Sequence, residues 1–119
     1  MKTILIVDDD PDVVDSIKRV LRVNAYRVYT ANDGEECLKK VDEFKPDLVL
    51  LDIMMPGMPV EEVVKQIRDS KIAFISIVRV SDAQKRGLCS QENVVGFFQK
   101  PFDVADLVEK VELILSDES

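Results

Sequence analysis

A chain of 119 residues, 46% of them hydrophobic and 33% charged, has room for one packed domain, because two would each be left with too little apolar surface to bury. A net charge of −7 without a basic block excludes broad nucleic-acid binding by phosphate neutralisation, and no apolar run approaches the ~18 residues of a membrane span. The expected partners are proteins, with no direct contact to nucleic acid or membrane.

The first apolar run, Ile4 to Val7, begins almost at the start and stops at Asp8. That is too short for a secretory signal, so a cytoplasmic protein is expected. Behind Asp10 and Pro11, a capping residue and a first-turn proline, Val13, Val14, Ile17, Val20 and Leu21 recur at helical spacing. A second apolar run covers Val28 to Ala31. A helix is then expected over Asp33 to Asp42, with Cys37, Leu38 and Val41 on one face. Leu48 to Leu51 is apolar without alternation, as a parallel strand covered on both faces requires. A third helix is expected over Glu61 to Arg68.

The fourth apolar run is read as a strand from Phe74 to Val80, ending in Ser81. The stretch Ser81 to Val94 carries few apolar residues and predicts a short or irregular fourth helix. Val95 to Phe98 gives a fifth strand. Val104, Leu107, Val108, Val111 and Leu115 line the last helix behind the cap Asp103, and Ser116 to Ser119 read as its frayed end. No linker or repeat interrupts the chain, so residues 1–119 are expected to form a single, stand-alone domain. Cys37 and Cys89 lack metal or redox spacing and are expected to be structural thiols.

Five strands alternating with helices predict an α/β fold with a parallel sheet, whose ligands bind beyond the carboxyl ends of the strands. At that edge the reading places Asp8 and Asp9, Asp52, Ser81 and Lys100. Three carboxylates close together repel unless a cation compensates them. An oxygen-only set with several positions left for water and phosphate suits Mg²⁺. A carboxylate beside such an ion can attack phosphorus to form an acyl phosphate, and Asp52 is the nucleophile of choice. Lys100 supplies a compact positive charge for a phosphoryl oxygen, and Ser81 a hydroxyl for another.

The segments Ile4-Leu5-Ile6-Val7-Asp8-Asp9-Asp10, Pro46-Asp47-Leu48-Val49-Leu50-Leu51-Asp52-Ile53-Met54-Met55-Pro56-Gly57-Met58-Pro59 and Lys100-Pro101-Phe102 resemble the receiver domains of two-component response regulators, the CheY-like superfamily, over the whole chain. The resemblance implies a (βα)5 doubly wound, flavodoxin-like fold of strand order 2-1-3-4-5. It implies Asp52 as phospho-acceptor, and Mg²⁺ held by the acidic pair Asp8 and Asp9 with Asp52 and the backbone carbonyl of Met54. It also implies Ser81 as switch hydroxyl, Lys100 before a cis Pro101, and Phe97 as switch aromatic. The implied function is phosphorelay signalling. Phosphate would arrive from a sensor histidine kinase or phosphotransfer protein, and the answer would be a changed surface offered to a downstream protein or to a second copy in a homodimer. Such a domain is no enzyme beyond its own phosphoryl transfer and dephosphorylation.

Three departures from the family pattern stand out: Pro59-Val60 where it has Asp-Gly, Asp82 behind Ser81 where it has a small residue, and an altered stretch Glu92 to Gly96. Asp82 and the altered fourth-helix region leave room for an alternative, a receiver-like docking module that works without phosphorylation. A hydrolase that forms an aspartyl phosphate would need a second Asp two residues after Asp52, where Met54 stands. A flavin or dinucleotide carrier would need a glycine-rich turn that four scattered glycines do not make.

Overall fold

The computed structural model describes residues 1–116, with the backbone alone at Val80; the expected frayed tail at 117–119 lies outside the described residues. The elements follow one another as β1 (Thr3–Val7), α1 (Pro11–Val23), β2 (Arg27–Ala31), α2 (Gly34–Phe44), β3 (Leu48–Asp52), α3 (Val60–Gln66), β4 (Lys71–Ser76), α4 (Val80–Lys85), β5 (Val94–Gln99) and α5 (Val104–Ser116). All strand pairs are parallel and the sheet order is β2-β1-β3-β4-β5. The fold is the doubly wound, flavodoxin-like α/β sandwich expected.

The alternation of side chains along each strand divides the core in two. Leu5, Val7, Val49, Leu51, Ile72 and Phe74 face Cys37, Val60, Val63, Val64 and Leu88 from α2, α3 and the α4 region. Ile4, Ile6, Leu48, Leu50, Ala73 and Ile75 face Ile17 and Leu21 of α1 and Leu107, Val108, Val111 and Leu115 of α5. Every residue of β3 is buried, which accounts for its unbroken apolar run. Each large aliphatic side chain so covered contributes about 1.5–3 kcal/mol.

Helix starts are set by side-chain caps. Asp10 accepts the Asp12 N–H at 3.0 Å, Asp33 the Glu36 N–H at 2.8 Å and Asp103 the Ala105 N–H at 2.9 Å. Gly34 opens α2 where a Cβ would meet Val63 Cγ2 of α3 at 2.7 Å, so the two helices approach through the missing side chain. Beneath the sheet, Asp47 ties three strand starts together. Its carboxylate accepts the Thr3 N–H and its N–H donates to the Thr3 carbonyl, both at 2.8 Å, while its carbonyl accepts the Lys71 N–H at 3.2 Å.

The fourth strand corrects the sequence reading. It runs from Lys71 to Ser76, not Phe74 to Val80, with Leu48 opposite Lys71 and Asp52 opposite Ile75. After Ser76 the chain leaves the sheet: Ile77 is 65% exposed, and Arg79 precedes a six-residue α4. The apolar residues beyond Ser76 therefore belong to a loop and to the helix start. The short fourth helix is as expected, and the third ends at Gln66 with Ile67 already extended.

Candidate functional site

In this topology the chain leaves β1 toward one side of the sheet and β3 toward the other, which opens a crevice beyond their carboxyl ends. Asp8 and Asp9 follow β1, and Asp52 ends β3 in that crevice. One carboxylate oxygen from each lies within 4.8 Å of the others, with Asp8 and Asp52 buried and Asp9 exposed. The two buried acids are oriented alike. Asp8 Oδ1 accepts the Asp10 N–H at 2.9 Å and Asp52 Oδ1 accepts the Met54 N–H at 3.0 Å, each a turn closed two residues on.

Lys100, after β5, reaches into the same space. Its Nζ lies 2.8 Å from Asp8 Oδ2 and 3.8 Å from Asp52 Oδ2. Its backbone N–H donates to the Ser76 carbonyl at 2.8 Å, and the peptide to Pro101 is cis. Burial pushes the Asp52 carboxyl above its usual range. The Met54 N–H and Lys100 pull it back, and the charges of Asp8 and Asp9 raise it further. At Lys100 burial works against the ammonium, but the bond to Asp8 and the charges of Asp52, Asp8 and Asp10 outweigh it, so its pKa is raised. Three carboxylates facing one ammonium leave two negative charges uncompensated, and an all-oxygen set of this charge fits a hard divalent cation.

The structure thus brings together Asp8, Asp9, Asp52 and Lys100. Met54 stands beside them with an exposed side chain and its N–H on Asp52. Ser81 does not end the fourth strand: it is an exposed residue in the first turn of α4. The hydroxyl at the end of β4 belongs to Ser76, which is fully buried, adjoins the residue paired with Asp52 and carries the carbonyl that holds Lys100. Sequence reasoning missed it because Ile77 and Val78 prolong the apolar run. Counting five or six residues from the Asp69-Ser70 turn, the length of the other strands, points to it. Asp82 likewise sits in α4, exposed, and the residue after the hydroxyl that ends β4 is Ile77.

Phe97 lies in β5, half-buried against the α3 and α4 side of the core, edge-on to Phe74 at 6.3 Å between ring centres. Phe98 faces the other layer. Cys37 is buried, and desolvation with the nearby charge of Asp33 pushes its thiol up to about 12, as befits a structural cysteine.

The response regulator receiver domain family matches residues 4–112. The alkaline phosphatase synthesis transcriptional regulatory protein PhoP of Bacillus subtilis is 37% identical over 116 residues, covering 96% of this chain and 48% of PhoP. The transcriptional regulatory protein PrrA of Mycobacterium tuberculosis is 36% identical over 116 residues, 94% of this chain and 49% of PrrA. The chain thus spans about half the length of these curated relatives. Among solved structures, the response regulator TrrA of Thermotoga maritima, crystallised with Mg²⁺-BeF, is 36% identical with a TM-score of 0.79, covering 96% of this chain and 99% of that one. A two-component response regulator from Clostridium difficile superposes with a TM-score of 0.89 at 25% identity and full coverage of both chains. Fold, strand-end acids and relatives agree: the chain belongs to the response regulator receiver domain family, the phosphorelay module of two-component signalling.

Proposed function

We propose that Asp52 accepts a phosphoryl group, with Mg²⁺ held by Asp8, Asp9, Asp52 and the Met54 carbonyl, and that Ser76 and Lys100 report the new charge to the rest of the domain. The observation that carries this is the convergence of three carboxylates within 4.8 Å beside the Lys100 ammonium. A bound Mg²⁺ would supply charge neutralisation at the phosphoryl oxygens. The TrrA relative, solved with Mg²⁺-BeF, supports that choice of ion.

Asp52 Oδ2 is the oxygen free of the Met54 turn, and it attacks phosphorus as the bond to the donor atom breaks and its electron pair leaves with the donor. Lys100 then exchanges part of its contact with Asp8 for a phosphoryl oxygen. The Ser76 hydroxyl donates to another, and it accepts the Val78 N–H at 3.1 Å, so the loop behind it follows. The response is a population shift toward an arrangement in which the Ser76 loop, α4 and Phe97 have moved, altering the face made by α4, β5 and α5.

The donor is a sensor histidine kinase or phosphotransfer protein, and the reader of the altered face is a downstream protein or a second copy of the chain. The domain catalyses only its own phosphoryl transfer and hydrolysis, and it works in the cytoplasm. Among the described residues no helix is long and apolar enough to cross a membrane.

Incubation with Mg²⁺ and a small-molecule phosphodonor such as acetyl phosphate, read by intact mass, is expected to give one labile phosphoryl adduct. Asp52→Asn and removal of Mg²⁺ each abolish it. An adduct that survives Asp52→Asn would overturn the assignment.

A further inference from the structure

The signal proposed above leaves Ser76 through three residues. Its hydroxyl is linked to the Val78 N–H, Arg79 follows, and α4 starts at Val80. A hydroxyl that turns toward a phosphoryl group therefore pulls on α4. A six-residue helix does not hold itself together, and its position is set by what it is fastened to. Ala83 and Leu88 are buried in the core beneath it.

Two further fastenings run to α3 and the loop that follows it. At the junction into β5, Gln91 Nε2 donates to the carbonyls of Val64 and Ile67, and Asn93 Nδ2 to those of Ile67 and Ser70, at 2.8–3.0 Å. These bonds fix the root of β5. The other fastening holds the end of α4 itself: Arg86 Nε and Nη2 donate to Glu61 Oε2 and Oε1, each at 3.0 Å, across 25 residues. The Glu61 carboxyl is held below its usual range, first by its own backbone N–H and, against the opposing effect of partial burial, by Arg86. The pair is therefore charged at neutral pH. It is also half-exposed, with 38% of each side chain accessible, so water can replace either partner when it opens.

We propose that the Glu61–Arg86 ion pair is the counterweight of the switch: it holds α4 against α3 in the unphosphorylated arrangement and must open for α4 to follow Ser76. This rests on the reading of Asp52 and Ser76 above. A contact present in only one of two states biases the equilibrium by its own strength, and its loss tightens a ligand of the other state by the same factor. For an exposed ion pair that factor is about two- to fivefold.

The test is calorimetric titration of the full chain with beryllium fluoride in Mg²⁺, a phosphoryl mimic. Glu61→Gln and Arg86→Lys should each bind it about two- to fivefold more tightly than the wild type. The double exchange Glu61→Arg with Arg86→Glu should return the affinity toward the wild-type value. Single variants that melt as folded proteins yet bind equally or more weakly would overturn the counterweight and leave the Asp52 reading intact. A wild-type chain that binds no beryllium fluoride would overturn both.

Discussion

Ser76 and Ser81 carry the same side chain five residues apart, and their surroundings give them opposite expectations. Ser81 is exposed on α4, so Ser81→Ala should leave phosphorylation and its spectral response unchanged. Ser76→Ala removes the acceptor of the Val78 N–H and the proposed donor to phosphate. It should still form the adduct on Asp52, while amide chemical shifts of 77–86 respond to phosphorylation far less than in the wild type. At Asp52 the consequence is one of stability. Its carboxyl is raised by burial above the unfolded value, so between the ordinary aspartate range and the raised value the native state binds more protons than the unfolded chain. Stability falls as pH climbs through that window. Without Mg²⁺, Asp52→Asn should melt a few degrees higher than the wild type at neutral pH. The gain should vanish as the pH drops below the ordinary aspartate range, which thermal melts across pH would follow.

At the scale of elements, α2 and α3 touch through Gly34, where an added Cβ would lie 2.7 Å from Val63 Cγ2. Alanine at a helix start gains at most about 1 kcal/mol over glycine in propensity, whereas overpacking a core costs about 1–3 kcal/mol. Gly34→Ala should therefore lower stability in denaturant titration, and Val63→Ala in the same chain should recover part of the loss, a non-additive pair. Elements also differ in how far they can be read from the chain. The strand-end acids were legible because Asp8 and Asp52 interrupt their apolar runs abruptly, and Lys100 because Pro101-Phe102 follows it. Ser76 was not, since Ile77 and Val78 are as apolar as the strand while Lys71 disguises its beginning. The pairings of Lys71 with Leu48 and of Ser76 with Gln99 fix its two ends. The ties between α3 and the α4–β5 stretch join residues 23–27 positions apart, and no periodicity announces a contact between a side-chain amide and a distant carbonyl.

For the whole molecule, the two uncompensated charges at the crevice weaken the free protein, and a cation that binds only the native site stabilises it by mass action. Mg²⁺ at a hundred times its dissociation constant should add about 2.7 kcal/mol to the unfolding free energy, measured as a rise in melting temperature. Asp9→Asn, which changes an exposed side chain, should lose most of that rise while retaining the fold. At the opposite end of the sheet, Asp47 joins the beginnings of β1, β3 and β4 through its carboxylate and its own peptide groups. Parallel ribbons riveted at one end cannot slide past each other to absorb a push delivered at the other. Work done by a new charge at the crevice would then be spent on what overhangs the sheet, the Ser76 loop and α4 first, so the same aspartate that looks like plain scaffolding makes the three strands it ties an anvil.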